Sequence, residues 1–141
     1  MTDREQKFLA LDLGITTGFA VFSTLGGYSD KPGEPELLGY WHLFEEEYQK
    51  GIEDLDRLHN FSFVVAEEPI IFRGKLGTRL LRIVTQTMAA FGDRLTMVDA
   101  SRWKSTPFKT APIPPCPSPH VRDAIRLGLW YNGFVRRSTN S

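Results

Sequence analysis

The sequence predicts an α/β fold, a five-stranded mixed sheet with helices packed on it. Three strand-like segments come first and are joined by short polar turns, which is typical of an antiparallel meander. Two further apolar segments then alternate with helical patterns, which indicates parallel crossover connections. At 141 residues and without an internal repeat, the chain has the length of one domain with a substantial core. We expect flexible ends at 1–6 and 136–141.

An acidic residue interrupts the first predicted strand. The segment 7–23, KFLALDLGITTGFAVFS, contains an apolar run that is broken by Asp12 and followed by Gly14 and Gly18. This pattern predicts a buried strand, a tight turn and a returning strand. A carboxylate in an apolar strand needs an ionic partner, a proton or a metal. A turn-capping role for Asp12 is the alternative that this stretch leaves open.

The middle of the chain predicts one more strand and two helices. Glu36–Phe44, ELLGYWHLF, is apolar and aromatic and predicts the third strand. The segments 45–60 and Gly77–Phe91 have the spacing of amphipathic helices. The predicted apolar face of the second helix consists of Leu80, Leu81, Val84, Met88 and Phe91.

A second acidic position follows the central strand. Phe61–Ala66, FSFVVA, is a compact apolar run that predicts a buried strand, and Glu67 and Glu68 come directly after it. Because side chains alternate along a strand, only one of these acids can point the way Asp12 points. We favour Glu67 and keep Glu68 as the alternative.

The last third of the chain combines a short strand, a loop and a helix. Leu95–Val98 predicts the fifth strand, and Asp99 can cap the turn after it. Five prolines within 112–119 exclude a helix or a central strand there, so 106–119 is expected to be a proline-rich loop. Helical spacing returns over Pro119–Phe134.

The neutral net charge hides a division between the two halves. Through Glu68 the chain has 5 basic and 14 acidic residues, whereas from Pro69 onward it has 12 basic and 3 acidic residues. A strongly basic half can bind a polyanion on one face even when the whole protein is neutral. Scattered charge without a ligand is the alternative. The basic residues that we expect to contact phosphates are Arg73, Lys75, Arg79, Arg102, Lys104 and Lys109.

Four side chains are candidates for a metal site. On the last helix, His120 and Asp123 are three residues apart and therefore share a face of its first turn. Asp12 and Glu67 would add carboxylates from two strand ends, and such a set suits two hard divalent cations. Two metals about 3.5–4 Å apart can hold the attacking and leaving oxygens of a phosphodiester in line. Each candidate alone is weak evidence, since a His-x-x-Asp pair is more often a cap or a surface pair.

Three segments together resemble a known family. LALDLGITTGFAVF, VVAEEP and HVRDAIRLGLW are similar to motifs of the RuvC-type Holliday junction resolvases, in the ribonuclease H-like superfamily. The motifs occur in the family's order and on the corresponding predicted elements, over about Lys7 to Tyr131. The resemblance implies that Asp12, Glu67, His120 and Asp123 are the catalytic and metal-binding residues.

The resemblance also implies a cofactor, a substrate and an assembly. It implies an endonuclease dependent on Mg²⁺ or Mn²⁺, with two ions per active site, that resolves four-way DNA junctions in recombination and repair. It implies a homodimer formed through the helix at 77–91, and an aromatic residue near the junction centre, for which Phe72 is the candidate. The span SRWKSTPFKTAPIPPCPSP is shorter than the family's, which leaves the preferred substrate shape open. His120 stands where Asp is commoner, and it suits Mn²⁺ or a proton-shuttling role.

Other functions stay open on the sequence alone. DLGITTG also resembles the phosphate loop of actin-like ATPases, although 141 residues leave no room for their second half. A nuclease of the same fold for flaps, forks or single strands is an alternative, as is a non-catalytic nucleic-acid-binding protein. Trp103 and Phe108 are candidates for stacking on bases or, equally, for packing under a loop.

The cysteine content and the absence of long apolar segments indicate the cellular compartment that we expect. Cys116 is the single cysteine, which excludes an internal disulfide and fits a reducing cytosol, in a bacterium or a phage-infected cell. No apolar segment approaches membrane-spanning length, and the N-terminus has no apolar signal core. We therefore expect no membrane association.

Overall fold

A computed structural model describes residues 5–25, 35–69 and 77–139 of the chain, and the side chains of 6–24, 35–69 and 77–133. Five strands form one sheet in the order β3-β2-β1-β4-β5. β1 pairs antiparallel with β2 and β2 with β3, whereas β1 with β4 and β4 with β5 are parallel. The predicted mixed sheet is therefore confirmed. The strands are β1 Glu5–Asp12, β2 Thr16–Leu25, β3 Glu36–Phe44, β4 Phe63–Glu67 and β5 Leu95–Val98.

The helices lie on both faces of this sheet. They are α1 Tyr48–His59, α2 Thr78–Phe91, α3 Ala100–Lys104 and α4 Pro119–Thr139, with short 3₁₀ turns at Glu45–Glu47, Gly92–Arg94 and Pro107–Thr110. α3 replaces a predicted turn, and α4 runs to Thr139, so the tail expected from 136 onward is helical that far. Among the helices that the structure describes, none is both long and apolar enough to cross a membrane.

One face of the sheet is covered by α4 and centres on stacked aromatic rings. Phe8 on β1 lies between Phe22 on β2 and Phe63 on β4, with ring centroids 4.9 and 4.7 Å apart. Cross-strand aromatic pairs of this kind stabilise a sheet beyond their buried area. Gly128 allows α4 to lie directly on this row, because a Cβ there would overlap the ring of Phe22.

The opposite face is covered by α1 and α2. Leu9 and Leu11 point from β1 into this layer, because they alternate with the residues that face α4. Tyr48 and Ile52 of α1 and Ile83 of α2 pack against them, and all are fully buried. The central strand β1 is thus enclosed on both faces, which is why its sequence is a continuous apolar run up to Asp12.

α2 is rotated relative to the face that its sequence predicts. Leu81 and Met88 were expected in the core, but they are 51% and 57% exposed. The hydroxyl of Thr87 lies 2.6 Å from that of Tyr48 and donates to the carbonyl of Ile83, so it is buried without an unpaired polar group. The prediction was wrong for Leu81 and Met88, because the burial of Thr87 turns a different side of the helix toward the core, whereas Phe91 is buried as predicted. The residues that α2 buries are Ile83, Thr87 and Phe91.

Candidate active site

Two acidic residues end neighbouring strands at the same edge of the sheet. Asp12 is the last residue of β1 and Glu67 the last of β4, and the parallel register pairs them directly. Each is only 8% exposed. Glu68 is exposed instead, and its backbone N–H donates to the carbonyl of Val98. Of the two acids that the sequence offered, Glu67 is therefore the one that lies beside Asp12.

The first turn of α4 brings two more side chains to this edge. The Nδ1 atom of His120 lies 3.2 Å from Oδ2 of Asp12, across 108 positions of sequence. This approach depends on Gly18, because a Cβ there would overlap the backbone of His120 and Val121. Gly18 pairs with Asp12 on the adjacent strand, so the missing side chain leaves room for the helix next to the acid. The sequence predicted a tight turn at this position but did not indicate that α4 packs against it.

A lysine from α3 lies among the carboxylates. The Nζ atom of Lys104 is 3.6 Å from Oε1 of Glu67 and 3.6 Å from Oδ2 of Asp123. It therefore links a strand-end acid to the acid on α4. The sequence placed Lys104 among residues that contact phosphates, and it did not indicate these contacts with acidic side chains.

A buried tryptophan donates a hydrogen bond to one of the acids. The indole Nε1–H of Trp103 donates to Oε1 of Glu67 over 2.7 Å, in a buried setting. Trp103 is 1% exposed and belongs to the core cluster, which favours the packing alternative over stacking on bases for this residue. Phe108 packs at the margin of the same core cluster.

The electrostatics of the site follow from its crowding. Burial, together with the nearby charges of Glu67 and Asp123, raises the pKa of Asp12 from 3.8 to about 8. Several acids this close repel each other, and a bound cation would relieve both the repulsion and the cost of burial. The arrangement therefore favours a positive ligand at this edge of the sheet.

The donor chemistry fits a hard divalent cation. Three carboxylates and one imidazole are groups that Mg²⁺ and Mn²⁺ accept. Within the described residues, however, no three His, Cys, Asp or Glu side chains are already arranged to hold a metal ion. Their oxygens instead contact Lys104, Trp103 and the ring of His120.

The other predicted contact residues lie in different places. Arg79 on α2 forms three hydrogen bonds of 2.6 to 3.0 Å with the carboxylate of Glu45. Arg102 is exposed on α3, with its guanidinium 5.6 Å from the ring centroid of Trp130. Lys109 is exposed on the turn at Pro107–Thr110. Phe72, Arg73 and Lys75 lie outside the described residues.

Solved structures resemble this arrangement of elements closely. RuvC of Thermus thermophilus in complex with a Holliday junction substrate matches with a TM-score of 0.71 and 13% sequence identity, over 95% of this chain and 97% of that chain. The chain has the RuvC fold. A second RuvC structure from the same organism matches with a TM-score of 0.71 and 15% identity, over 95% of this chain and 98% of that chain. No family model and no curated protein matches the sequence.

A viral protein also matches this chain, at lower similarity. The Holliday junction resolvase of fowlpox virus matches with a TM-score of 0.53 and 12% identity, over 90% of this chain and 98% of that chain. The ribonuclease H-like fold class predicted from the sequence is thereby confirmed. The first match extends over nearly the full RuvC chain, so the short span between β5 and α4 does not remove an element essential to the fold.

Proposed function

We propose that this protein is a structure-selective endodeoxyribonuclease that resolves four-way DNA junctions by metal-dependent phosphodiester hydrolysis. The observation that supports this most directly is the convergence of Asp12, Glu67, His120 and Asp123. They come from β1, β4 and α4, and they meet at one edge of a sheet with the RuvC fold. A non-catalytic binding protein has no need to bury acids together, since unneutralised carboxylates at a site oppose the binding of DNA.

The proposed cofactor is a pair of Mg²⁺ or Mn²⁺ ions held by these four side chains. When bound, such ions supply a water nucleophile at neutral pH and stabilise negative charge on the phosphate. Asp12 would have to release its proton to serve as a ligand, because its pKa lies near 8 in the metal-free protein.

His120 is positioned for a role in proton transfer. Its Nδ1 atom is engaged with Asp12, which fixes the orientation of the ring. Its side chain is 49% exposed, so the Nε2 edge can reach solvent or substrate. We propose that this nitrogen accepts the proton of the attacking water, or that it completes the ligand set.

The basic groups would hold the DNA backbone. Lys104 extends from α3 to Glu67 and Asp123, Arg102 lies on the same helix, and Lys109 follows on the next turn. With Glu67 and Asp123 holding a cation, the ammonium of Lys104 would be available to a phosphate oxygen. Phosphate contacts of this kind make the affinity for DNA fall steeply with salt.

We also propose a homodimer, with α2 in the interface. Leu81 and Met88 are seven residues apart on one side of this helix, and both are more than half exposed. Apolar side chains at that spacing are typical of a helix that packs against a partner. Two copies would present two active sites to the symmetric arms of a junction. The cytosol of a bacterium or of a phage-infected cell is part of the same proposal.

A panel of synthetic substrates tests the proposal. Purified protein is incubated with a four-way junction, a flap, a replication fork, a linear duplex and a single strand, each with Mg²⁺, Mn²⁺ or EDTA. The expected result is paired nicks in the junction, little cleavage of duplex and none in EDTA. Cleavage of flaps or forks in preference to junctions would assign the protein to the alternative nuclease. Absence of metal-dependent cleavage of every substrate would refute a nuclease function.

A further inference from the structure

The carboxylate of Glu67 is contacted by two consecutive residues of α3. The indole N–H of Trp103 donates to Oε1 over 2.7 Å, and the ammonium of Lys104 lies 3.6 Å from the same oxygen. Neither contact uses Oε2. The two donors are also in contact with each other, since Nζ of Lys104 lies 5.4 Å from the centroid of the Trp103 ring. α3 therefore engages the same oxygen of Glu67 with both donors.

The contact from Trp103 is fixed, whereas the contact from Lys104 is adjustable. Trp103 is 1% exposed and packs in the core with Val98 and Val65, so the indole cannot change its position without opening that core. The Lys104 side chain is 38% exposed and ends four flexible bonds from the backbone. A hydrogen bond from a rigid buried donor to a carboxylate is short and strong, and it holds the acceptor in one orientation.

The start of α3 is itself anchored. The side chain of Asp99 accepts a hydrogen bond from the backbone N–H of Ser101 over 2.9 Å, which caps the helix. The backbone N–H of Glu68 donates to the carbonyl of Val98, so β5 and the end of β4 are joined just before the helix begins. The backbones that carry Trp103 and Glu67 are thus held in a defined relation to each other.

We propose that Trp103 is a positioning residue for the active site, which fixes the orientation of the Glu67 carboxylate beside Asp12. The inference rests on the proposed metal-dependent function and deepens it. A buried indole needs a hydrogen-bond acceptor, and this chain supplies it from the site rather than from the backbone. Loss of a residue that orients a metal ligand typically weakens metal binding or activity by about 10 to 100-fold.

The test is Trp103→Phe, which keeps a buried aromatic ring and removes the N–H. Mn²⁺ binding is measured by calorimetry without DNA, and junction cleavage is measured as kcat and KM. We expect about 10-fold weaker Mn²⁺ binding and a lower kcat, with KM for the junction little changed. Trp130→Phe, on α4 in the same core cluster, is the matched control for the loss of an indole and should leave Mn²⁺ affinity unchanged. Thermal melts report whether each variant is folded.

A second variant covers the case in which Trp103→Phe does not fold. Benzothienylalanine at position 103 has the shape of tryptophan with sulfur in place of the N–H, and it should give the same loss of Mn²⁺ affinity. Wild-type Mn²⁺ affinity and kcat in a folded variant would overturn the positioning role while leaving the nuclease function intact. Wild-type protein that neither binds Mn²⁺ nor cleaves any substrate would refute the proposed function, and with it this role.

Discussion

Asp12 is a buried carboxyl with two further carboxyls, those of Glu67 and Asp123, among its charged neighbours. Its burial and these charges raise its pKa from 3.8 to about 8. Between these two pH values the folded chain keeps a proton that the unfolded chain has released. By linkage, the metal-free protein therefore loses stability as the pH rises through this window.

Removal of this carboxyl should therefore stabilise the metal-free protein. Asp12→Asn keeps the size of the side chain and abolishes its titration. In EDTA we expect the variant to melt at the same temperature as wild type near pH 4 and a few degrees higher near pH 8. Added Mn²⁺ should raise the melting temperature of wild type and have little effect on the variant. Parallel melting curves for the two proteins across this pH range would contradict the account.

At the residue scale, the sequence predicts the acidic residues of the site more readily than the residues that contact them. Asp12 and Glu67 are recognisable because a carboxylate is unexpected at the end of an apolar strand. Trp103 and Lys104 lack such a signal, since a tryptophan and a lysine in a short polar segment are compatible with many roles. Their contacts with Glu67 depend on the crossing of α3 over the end of β4, which is a tertiary feature.

At the scale of elements, the site depends on how closely α4 approaches β2. Gly18 and Gly128 both lie at this contact, but they face different obstacles. A Cβ at Gly18 would overlap the backbone of His120 and Val121, whereas a Cβ at Gly128 would overlap the ring of the Phe22 side chain and no backbone atom of the site. The two glycines therefore offer a matched pair of substitutions.

We expect Gly18→Ala to abolish activity and Gly128→Ala to reduce only stability. Each adds one methyl group to a tightly packed contact, which costs roughly 1 to 3 kcal/mol. Only the first displaces the turn that carries His120, so only it should separate His120 from Asp12. Junction cleavage is compared at a temperature where both variants are folded. Equal activity of the two would mean that the position of this turn does not matter for catalysis.

The strand and helix pattern was predictable from the sequence because it follows local periodicity. β3 and β5 begin and end where the apolar pattern indicates, and Asp99 caps α3 as its position suggested. The orientation of α2 was not predictable, because burial of Thr87 depends on its hydrogen bond to Tyr48, 39 positions away in the chain. The spacing of apolar residues predicts that a helix has a buried face. It does not decide which of two overlapping faces of that helix is buried.

At the scale of the whole molecule, the exposed side of α2 should decide the state of assembly. Leu81 and Met88 together form the apolar part of that side. We expect wild type to sediment as a dimer and the Leu81→Lys, Met88→Lys double variant as a monomer, because two charges would be buried in the interface. Leu38→Lys on β3, at a position 39% exposed, is the control and should stay dimeric. A monomeric wild type would exclude the interface.

The uneven distribution of charge between the two halves of the sequence also matters at the scale of the whole molecule. The basic residues of the second half include Arg102, Lys104 and Lys109, which follow β5 in succession, and Lys104 lies 3.6 Å from both Glu67 and Asp123. An anionic substrate can therefore meet cations beside the carboxylates that we assign to catalysis. Net charge alone, which is zero, conceals this arrangement.

The most direct test of the account compares junction cleavage by wild type with that by Asp12→Asn and Asp123→Asn, on complexes preformed in Ca²⁺ and started with Mg²⁺ or Mn²⁺. We predict that both variants bind the junction but cleave it about 10³-fold more slowly or not at all, because each loses one of the converging carboxylates. Cleavage at the wild-type rate by either bound variant would contradict the assignment of this cluster as the catalytic centre.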